Sequence, residues 1–361
     1  MRPLLLRFGS PGEMVLLTPV IRALSARYAS PVDVVSMGAE TSALLKGQQA
    51  VGDLCLVSRR QSPYWLSYTQ RKLVRRLAAR AVGPVWDCDA TGKSASLLAR
   101  AGIRDEMVAL GSDYPRRDGE HHLDRWLRFV RATPAGCPEG DLAAMDAESP
   151  HASIDVAQPW RDDLDQWFLE RGIAGRPLLL LHASRRRMPR RGRIVRGGGR
   201  PEAADRNWPA ERWAKVVEML RAREPGAMIV LTGSMIDREF NESILAASGH
   251  QQAVNAANDL PIRRLLALQE RALGMISVDA DSAWTAAAVG CPVLVLYGAN
   301  DPKVHAPRGR LNAVETLSGR HEGVRSMLGI EIKEVQEAWD RLRQSCSEAG
   351  RPEGKQGSGL R

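Results

Sequence analysis

The stretch LGMISVDADSAWTAAAVGCPVLVLYGANDPKVHAP, from Leu273 to Pro307, decides the fold of this 361-residue chain. It opens with an apolar run, passes through an acidic turn, and continues into an alanine-rich segment, 283–289, of high helix propensity. Ser282 is a good candidate for the helix N-cap, and Gly290 for its left-handed end. The second apolar run, 292–297, is typical of a buried parallel strand. The pattern predicts a strand–turn–helix–strand unit whose helix N-terminus offers N–H groups to a phosphate.

The same alternation of short apolar runs and amphipathic helical patterns recurs along both halves of the chain. The first half is predicted to begin with a strand over 3–8 and one helix over 11–28, and the second with a strand over 177–182. The segment 134–153, rich in Ala, Gly, Asp and Pro, is predicted to be a linker. Strands alternating with helices in this way predict parallel sheets of the βαβ kind, one in each half. The predicted organisation is an N-terminal domain over 1–155, a connecting helix over 156–176, a C-terminal domain over 177–328 with a basic insertion over 185–205, a C-terminal helix over 329–346 and a disordered tail over 347–361.

The formal net charge of +9 is concentrated in one segment. Between Ser184 and Arg206 there are nine arginines and two acidic residues, in a context broken by glycine and proline. A solvated loop is one interpretation, and contact with an anionic membrane surface or glycolipid is a second. Nucleic-acid binding is a weaker third, because the segment lacks aromatic residues for base stacking and no binding module accompanies it.

Other features of the composition indicate a globular protein of the cytoplasm. No apolar run approaches the ~20 residues that a membrane span requires, and the first apolar run is broken by Arg7 and Gly9, unlike a secretory signal. Five scattered cysteines show no Cys-x-x-Cys spacing. We therefore expect reduced thiols, no zinc site and a cytoplasmic location, with peripheral contact at the inner face of the inner membrane.

Five motifs in order carry a resemblance to a known family. They are RFGSPGEMVLLTPVIRAL at 7–24, WDCDATGKSASLLARAG at 86–102, RNWPAERW at 206–213, LTGS at 231–234 and the opening stretch. Taken together they resemble glycosyltransferase family 9, the ADP-heptose:lipopolysaccharide heptosyltransferases. The resemblance implies a GT-B architecture, in which two Rossmann-like parallel-sheet domains face each other across a cleft. It also implies inverting transfer, by default of heptose from ADP-heptose to a lipopolysaccharide-core or related glycan, without metal or cofactor.

The resemblance assigns the acceptor side to the N-terminal domain. Glu13 falls where the family has its acidic base, usually Asp, and would take the proton of the acceptor hydroxyl. Ser10 and Gly12 belong to the same loop, and Lys93 would meet the carboxylate of an acidic sugar. From the residues alone, Glu13 better fits an acid that complements a helix N-terminus, and Lys93 equally fits a solvated surface lysine.

The resemblance assigns the nucleotide-sugar to the C-terminal domain. Arg206 would pair with the donor phosphates, as a planar two-pronged donor. Ser184 would lie near the diphosphate, and Gly233 and Ser234 would reach the nucleotide through backbone N–H groups. The alternatives are ordinary turn residues and one more arginine of a solvated loop. A structural or surface role is expected for His182.

The opening stretch departs from the family in its turn. Asp279 is kept, but Asp281 stands for a glycine and Trp284 for a histidine, next to Ser282 and Ala283. An extra carboxylate near a diphosphate is electrostatically unfavourable, whereas tryptophan can stack on a sugar or base. Asp279, Ser282, Ala283 and Trp284 are predicted to bind the donor. The alternative function is a catalytically silent relative that binds a nucleotide or glycolipid without transfer.

Overall fold

A computed structural model describes residues 1–57, 64–80, 83–184, 208–311 and 313–348 of the chain. The chain divides into two compact units, Met1–Asp155 and Val156–Arg361. The arginine-rich segment, Arg206 and most of the predicted tail lie outside the described residues. Across the part that is described, no helix is long and apolar enough to cross a membrane.

The first unit, called unit 1, alternates strands and helices from its first residues. Its strands are β1 (Leu4–Leu6), β2 (Val32–Met37), β3 (Val51–Val57), β4 (Val85–Asp87) and β5 (Val108–Leu110). Its helices are α1 (Pro11–Leu16), α2 (Thr18–Arg27), α3 (Ala39–Leu45), α4 (Tyr68–Ala79), α5 (Gly92–Arg100), α6 (His122–Phe129) and α7 (Leu142–Asp146).

The sheet of unit 1 is parallel, with strand order β3-β2-β1-β4-β5. Leu5 lies opposite Val34 on one side and Trp86 on the other. These residues are fully buried, as expected for central strands covered by helices on both faces. The carboxyl end of β1 therefore lies between the carboxyl ends of its parallel neighbours, β2 and β4.

Two predictions for unit 1 were wrong in detail. The helix predicted over 11–28 is interrupted at Leu17, because Pro19 has no N–H to continue the α1 ladder and lies instead in the first turn of α2. The Thr18 hydroxyl donates to the Val15 carbonyl at 2.8 Å in place of the missing bond. The segment 134–153, predicted as a linker, contains α7, which begins after the N-cap Asp141.

The second unit, called unit 2, has the same alternation. Its strands are β6 (Leu178–His182), β7 (Met228–Leu231), β8 (Ala253–Asn255), β9 (Gly274–Val278), β10 (Val293–Tyr297), β11 (Val314–Ser318), β12 (Arg320–His321) and β13 (Val324–Arg325). Its helices are α8 (Gln158–Arg171), α9 (Ala210–Arg223), α10 (Arg238–Ser248), α11 (Ile262–Arg271), α12 (Asp281–Ala288), α13 (Pro302–His305) and α14 (Ile332–Glu348).

Six of these strands form a parallel sheet in the order β11-β10-β9-β6-β7-β8. Its core includes the buried indoles of Trp208, Trp213 and Trp339. The helix α8 packs beside α11 through ion pairs that include Arg161 with Glu270 at 2.7 Å. Unit 2 thus has its own sheet and its own core.

Unit 2 also differs from the prediction at two places. Strand β11 was not predicted, and it extends the sheet by pairing in parallel with β10. Helix α14 continues to Glu348, so the first two residues of the predicted tail are helical and their neighbour Cys346 is buried. The remainder of that tail lies outside the described residues.

Candidate functional site

In unit 1 the strand order reverses between β1 and β4. The chain passes from β1 outward through β2 to β3 and then returns to the other side of β1 with β4. Ligands of open α/β sheets bind at such a switch point, outside the carboxyl ends of the strands. The predicted acceptor-side residues follow these two ends: Ser10 caps α1, Gly12 and Glu13 lie in its first turn, and Lys93 lies in the first turn of α5.

Glu13 lies in the first turn of α1 and is held from two directions. Its Oε2 accepts a hydrogen bond from the Ser10 N–H at 2.7 Å, and the Ser10 hydroxyl accepts one from the Glu13 N–H at 3.4 Å, which is a capping box. Its Oε1 accepts from the Arg7 guanidinium at 2.7 Å. Because 33% of the Glu13 side chain remains exposed, the carboxylate is both oriented and accessible.

Arg7 joins Glu13 to a second acid that sequence reasoning missed. Its other terminal nitrogen donates to Asp89 at 2.9 Å, and Asp89 also accepts from the Phe8 N–H. The guanidinium lies 5.2 Å from the ring centre of Trp126. The sequence signal was the second acid of WDCDA, which lies two residues after the end of β4.

The remaining acceptor-side residues occupy different environments. Lys93 is exposed in the first turn of α5, and Gly12 is buried inside α1. The Asp87 carboxylate is buried and accepts from the Asp89 and Ala90 N–H groups, which shapes the turn before α5. Burial raises the pKa of Asp87. The structure therefore brings Ser10 and Glu13 together and leaves Lys93 open to solvent.

In unit 2 the strand order reverses between β6 and β9. From β6 the chain moves outward through β7 to β8, and then returns to the other side of β6 with β9. The carboxyl ends of β6 and β9 are followed by Ser184 and by the turn 279–284. Most of the predicted donor-side residues in the described chain thus border the switch point of this sheet.

A buried carboxylate, Asp237, organises the loops after β6 and β7. One oxygen accepts from the Ser184 hydroxyl at 2.8 Å, and the other accepts from the Ser234 N–H at 2.8 Å and its hydroxyl at 2.7 Å. Burial alone would raise the pKa of Asp237, but the hydrogen bonds from the two serines hold it below its ordinary value. Both serine hydroxyls therefore donate their hydrogen to Asp237, so toward a ligand they can act only as hydrogen-bond acceptors. That polarity suits a ligand hydroxyl better than a phosphate oxygen.

His182, at the end of β6, is part of the same region. Its Nδ1 and the Thr232 hydroxyl share a hydrogen bond of 3.0 Å. Burial lowers the pKa of His182, with Asp237 acting in the opposite direction. The neutral form of the imidazole is therefore favoured, and a structural role for His182 stays a prediction.

The turn after β9 differs from the prediction. Helix α12 begins at Asp281 with Ala280 as N-cap, so Ser282 is not the N-cap. Ser282 and Ala283 have buried side chains, because the Ser282 carbonyl accepts from the buried Gln269 amide at 3.0 Å and draws the first turn onto α11. Contact between these two residues and a donor stays a prediction.

The other residues of this turn lie closer to solvent. Asp279 accepts a hydrogen bond of 2.5 Å from the Asn300 amide, and burial raises its pKa. Asp281 and Trp284 are half-buried on the first two turns of α12. A carboxylate thus stands in the first helical turn, where an anionic ligand would otherwise meet the free N–H groups.

The rear end of α12 is fixed by the backbone. Gly290 has a φ of 83°, the left-handed conformation that ends the helix, as predicted. The Arg310 N–H donates to the Ala287 carbonyl at 3.1 Å, and a Cβ on Gly309 would lie 2.1 Å from that carbonyl oxygen. The helix is therefore held along its axis by the loop at 309–310.

Metal ligation has no obvious place in the described ranges. Among those residues no group of three or more His, Cys, Asp or Glu side chains is arranged to hold a metal ion. The five cysteines are free thiols, and burial raises the pKa of Cys55 and Cys88. The expectation that no metal takes part stays a prediction.

Comparisons with known proteins agree with the motifs. Residues 199–323 match the family model of glycosyltransferase family 9 (heptosyltransferase). No curated protein matches the sequence.

Solved structures resemble the fold along nearly the whole chain. A family 9 glycosyl transferase from Veillonella parvula superposes with a TM-score of 0.75 at 16% identity, covering 95% of this chain and 97% of that one. The E. coli ADP-heptose lps heptosyltransferase II gives 0.72 at 19% identity, over 96% and 100%. E. coli heptosyltransferase WaaC with ADP gives 0.64 at 18%, over 95% and 100%. These matches confirm the predicted fold class, α/β with two Rossmann-like parallel-sheet units of the GT-B kind. The match over 199–323 agrees with the resemblance of the five motifs to glycosyltransferase family 9.

Proposed function

We propose that the chain is an inverting, metal-independent glycosyltransferase that moves a sugar from a nucleotide diphosphate to a glycan or glycolipid hydroxyl. The default donor is ADP-heptose, and the default acceptor is a lipopolysaccharide core or a related glycan. The family match and the heptosyltransferase names of the similar structures support this pair. Transfer would take place in the cytoplasm, with peripheral contact at the inner face of the inner membrane.

The observation that carries the proposal is the oriented, partly exposed carboxylate of Glu13 at the switch point of unit 1. In the proposed step, one oxygen of Glu13 takes the proton of the acceptor hydroxyl as the acceptor oxygen attacks the anomeric carbon. The bond from that carbon to the diphosphate breaks on the opposite face, and the nucleotide diphosphate leaves with the electron pair. Ser10 and Arg7 fix the orientation of the carboxylate, and Lys93 is the proposed partner of an acidic acceptor sugar.

On the donor side, the proposed contacts follow the chemistry of each group. The N–H groups at the start of α12 would face the nucleotide diphosphate, whereas Asp279 would accept from a hydroxyl of the donor, with Trp284 stacking on a sugar or base. Ser184 and Ser234, as hydrogen-bond acceptors, would hold hydroxyl groups of the ribose or the transferred sugar rather than phosphate. Arg206, proposed for the phosphates, lies outside the described residues.

The decisive experiment compares three forms of the full-length protein in a transfer assay. We expect Glu13→Gln to abolish turnover while the melting temperature changes little, and Glu13→Asp to retain part of the activity. Asp141→Asn is the matched control, because it removes a helix-capping carboxylate elsewhere in unit 1. Turnover retained by Glu13→Gln would contradict the assignment.

A catalytically silent relative is the second candidate, and two observations favour it. Both oxygens of Glu13 already accept hydrogen bonds within unit 1, and Asp281 stands in the first turn of α12. A thermal-shift panel of ADP-, UDP-, GDP- and TDP-sugars, run beside the transfer assay, separates the two candidates. Stabilisation by one donor without turnover on any acceptor tested would favour the silent relative.

A further inference from the structure

Three large side chains are exposed together at the start of α4. Trp65, Leu66 and Tyr68 have 69%, 61% and 68% of their surface open to solvent. Tyr64 anchors this turn, because its ring lies 4.3 Å from the Arg100 guanidinium, and Ser67 caps the helix by accepting from the Gln70 N–H. The turn is thus held in place while its apolar side chains point outward.

The exposed face of α4 is basic. Arg71, Lys72 and Arg75 are exposed, and residues 64–80 contain no acidic residue. The helical repeat places Tyr68, Lys72 and Arg75 on one face, opposite the buried side chains of α4. Within the described ranges, Arg71, Lys72 and Arg75 form no ion pair. In contrast, Arg76 on α4 and Arg80 at its C-cap pair with aspartates of the sheet.

We infer that this surface of unit 1, the aromatic–basic patch (Trp65, Leu66, Tyr68, Arg71, Lys72 and Arg75), docks on an anionic membrane. Tryptophan and tyrosine favour the membrane–water interface, and an apolar edge beside a cationic face is the pattern of helices that lie in that interface. Basic residues supply the attraction to anionic headgroups. A nucleic acid would use the cations but leave the neighbouring leucine without a partner.

The patch lies on the side of unit 1 where the carboxyl ends of the strands, and with them Glu13, are found. At the far end of α4, Arg80 donates to the Arg2 carbonyl at 2.6 Å and pairs with Asp33 at 3.3 Å, where β1 and β2 begin. A helix of this length spans about 18 Å. Its first turn therefore lies toward the edge where the strands end, so docking would bring a membrane-borne acceptor close to the candidate base.

The test is flotation of the full-length protein with vesicles, without donor or acceptor. Vesicles contain phosphatidylcholine alone, or about three parts of it to one part of phosphatidylglycerol. The variant Arg71→Gln/Lys72→Gln/Arg75→Gln is compared with Lys46→Gln/Lys215→Gln/Lys333→Gln, which removes equal charge from other exposed positions. The variant Trp65→Ser/Leu66→Ser is compared with Leu169→Ser/Leu311→Ser, which removes exposed leucines elsewhere.

We expect the wild type to bind anionic vesicles in a salt-dependent manner and neutral vesicles much more weakly. At about fivefold per charge, the patch triple variant should lose about a hundredfold in partitioning, and the apolar double variant about tenfold, with both controls near wild type. All variants keep the arginine-rich segment, so a patch variant that binds like its control would overturn the inference. Loss of RNA or DNA retention without loss of vesicle binding would also overturn it. Because no transfer is measured, failure here leaves the proposed transfer reaction untouched, and an inactive enzyme can still dock.

Discussion

Glu13 and Asp237 are held by the same local arrangement at the ends of strands in two different units. Each carboxylate follows a Gly-Ser pair and accepts a hydrogen bond from the serine N–H. Each also packs closely on the glycine. A Cβ added to Gly9 would lie 2.9 Å from the Glu13 Cβ, and one added to Gly233 would lie 2.7 Å from the Asp237 Cβ. They differ in exposure, since 33% of the Glu13 side chain is open and Asp237 is 2% exposed. One arrangement therefore presents a carboxylate, and the other uses it internally.

From this difference in exposure we predict that removing the Asp237 charge lowers mainly stability, and that removing the Glu13 charge lowers mainly activity. Asp237→Asn should lower the free energy of unfolding by about 1–3 kcal/mol, because an amide cannot accept from both Ser184 and Ser234 while placing its NH₂ group against one of them. Glu13→Gln should cost less stability and more activity. Urea unfolding and a transfer assay on both variants measure the two effects, and equal losses of stability would contradict the distinction.

A second prediction concerns the glycine beneath the candidate base. Gly9→Ala should displace Glu13, since the new Cβ would meet its Cβ and Oε2 at 2.9 and 3.0 Å. We expect a fall in kcat of tenfold or more, with a loss of stability of about 1–3 kcal/mol from overpacking. Gly92→Ala is the control, because a Cβ there meets no atom within 4 Å. The idea fails if both variants turn over at the same rate.

The sequence predicted the parallel sheets well, because buried strands leave long local signatures. The runs that became β9 and β10 were located to within a residue or two, and Gly290 ended α12 as expected. The interruption at Leu17 was also written locally, in the Thr-Pro pair that follows it. The Thr-Pro pair is therefore the local sign that 11–28 forms two helices rather than one.

The errors at the site have a different origin. Ser282 looked like an N-cap, but its carbonyl is drawn onto α11 by Gln269, a partner that no neighbouring residue reveals. The link from Arg7 to Asp89 likewise joins residues 82 positions apart. Local patterns show which strand ends carry polar residues, and the strand order decides which of them meet.

A third prediction addresses the acid that replaces the family's glycine. Asp281→Asn should bind a nucleotide-diphosphate sugar about fivefold more tightly, because a negative charge leaves the first turn of α12 where the helix N-terminus favours anions. Calorimetric titration with ADP-heptose measures the change. Glu211→Gln, which removes an acid from the first turn of α9, is the control. Weaker binding in Asp281→Asn would mean that this carboxylate holds a sugar hydroxyl instead.

A fourth prediction concerns pH. Burial lowers the pKa of His182, so below the ordinary histidine pKa of about 6.5 the unfolded chain binds a proton that the folded chain does not. Stability should therefore fall as the pH is lowered through that value, by at most about 1.4 kcal/mol per pH unit for this group. His182→Asn should flatten that part of the profile, and His250→Asn, at an exposed position, should leave it unchanged. Identical profiles for the wild type and His182→Asn would exclude His182 as the source.

The contact between Gly309 and Ala287 bears on how the specificity of this chain can be altered. Because the loop at 309–310 abuts the last turn of α12, moving that helix to suit a larger or smaller ligand would disrupt this contact. We therefore expect selection for a new donor to proceed by exchanging side chains at 279–284. We expect any residue larger than glycine at 309 to displace the last turn of α12 and, with the helix, all of the positions at 279–284.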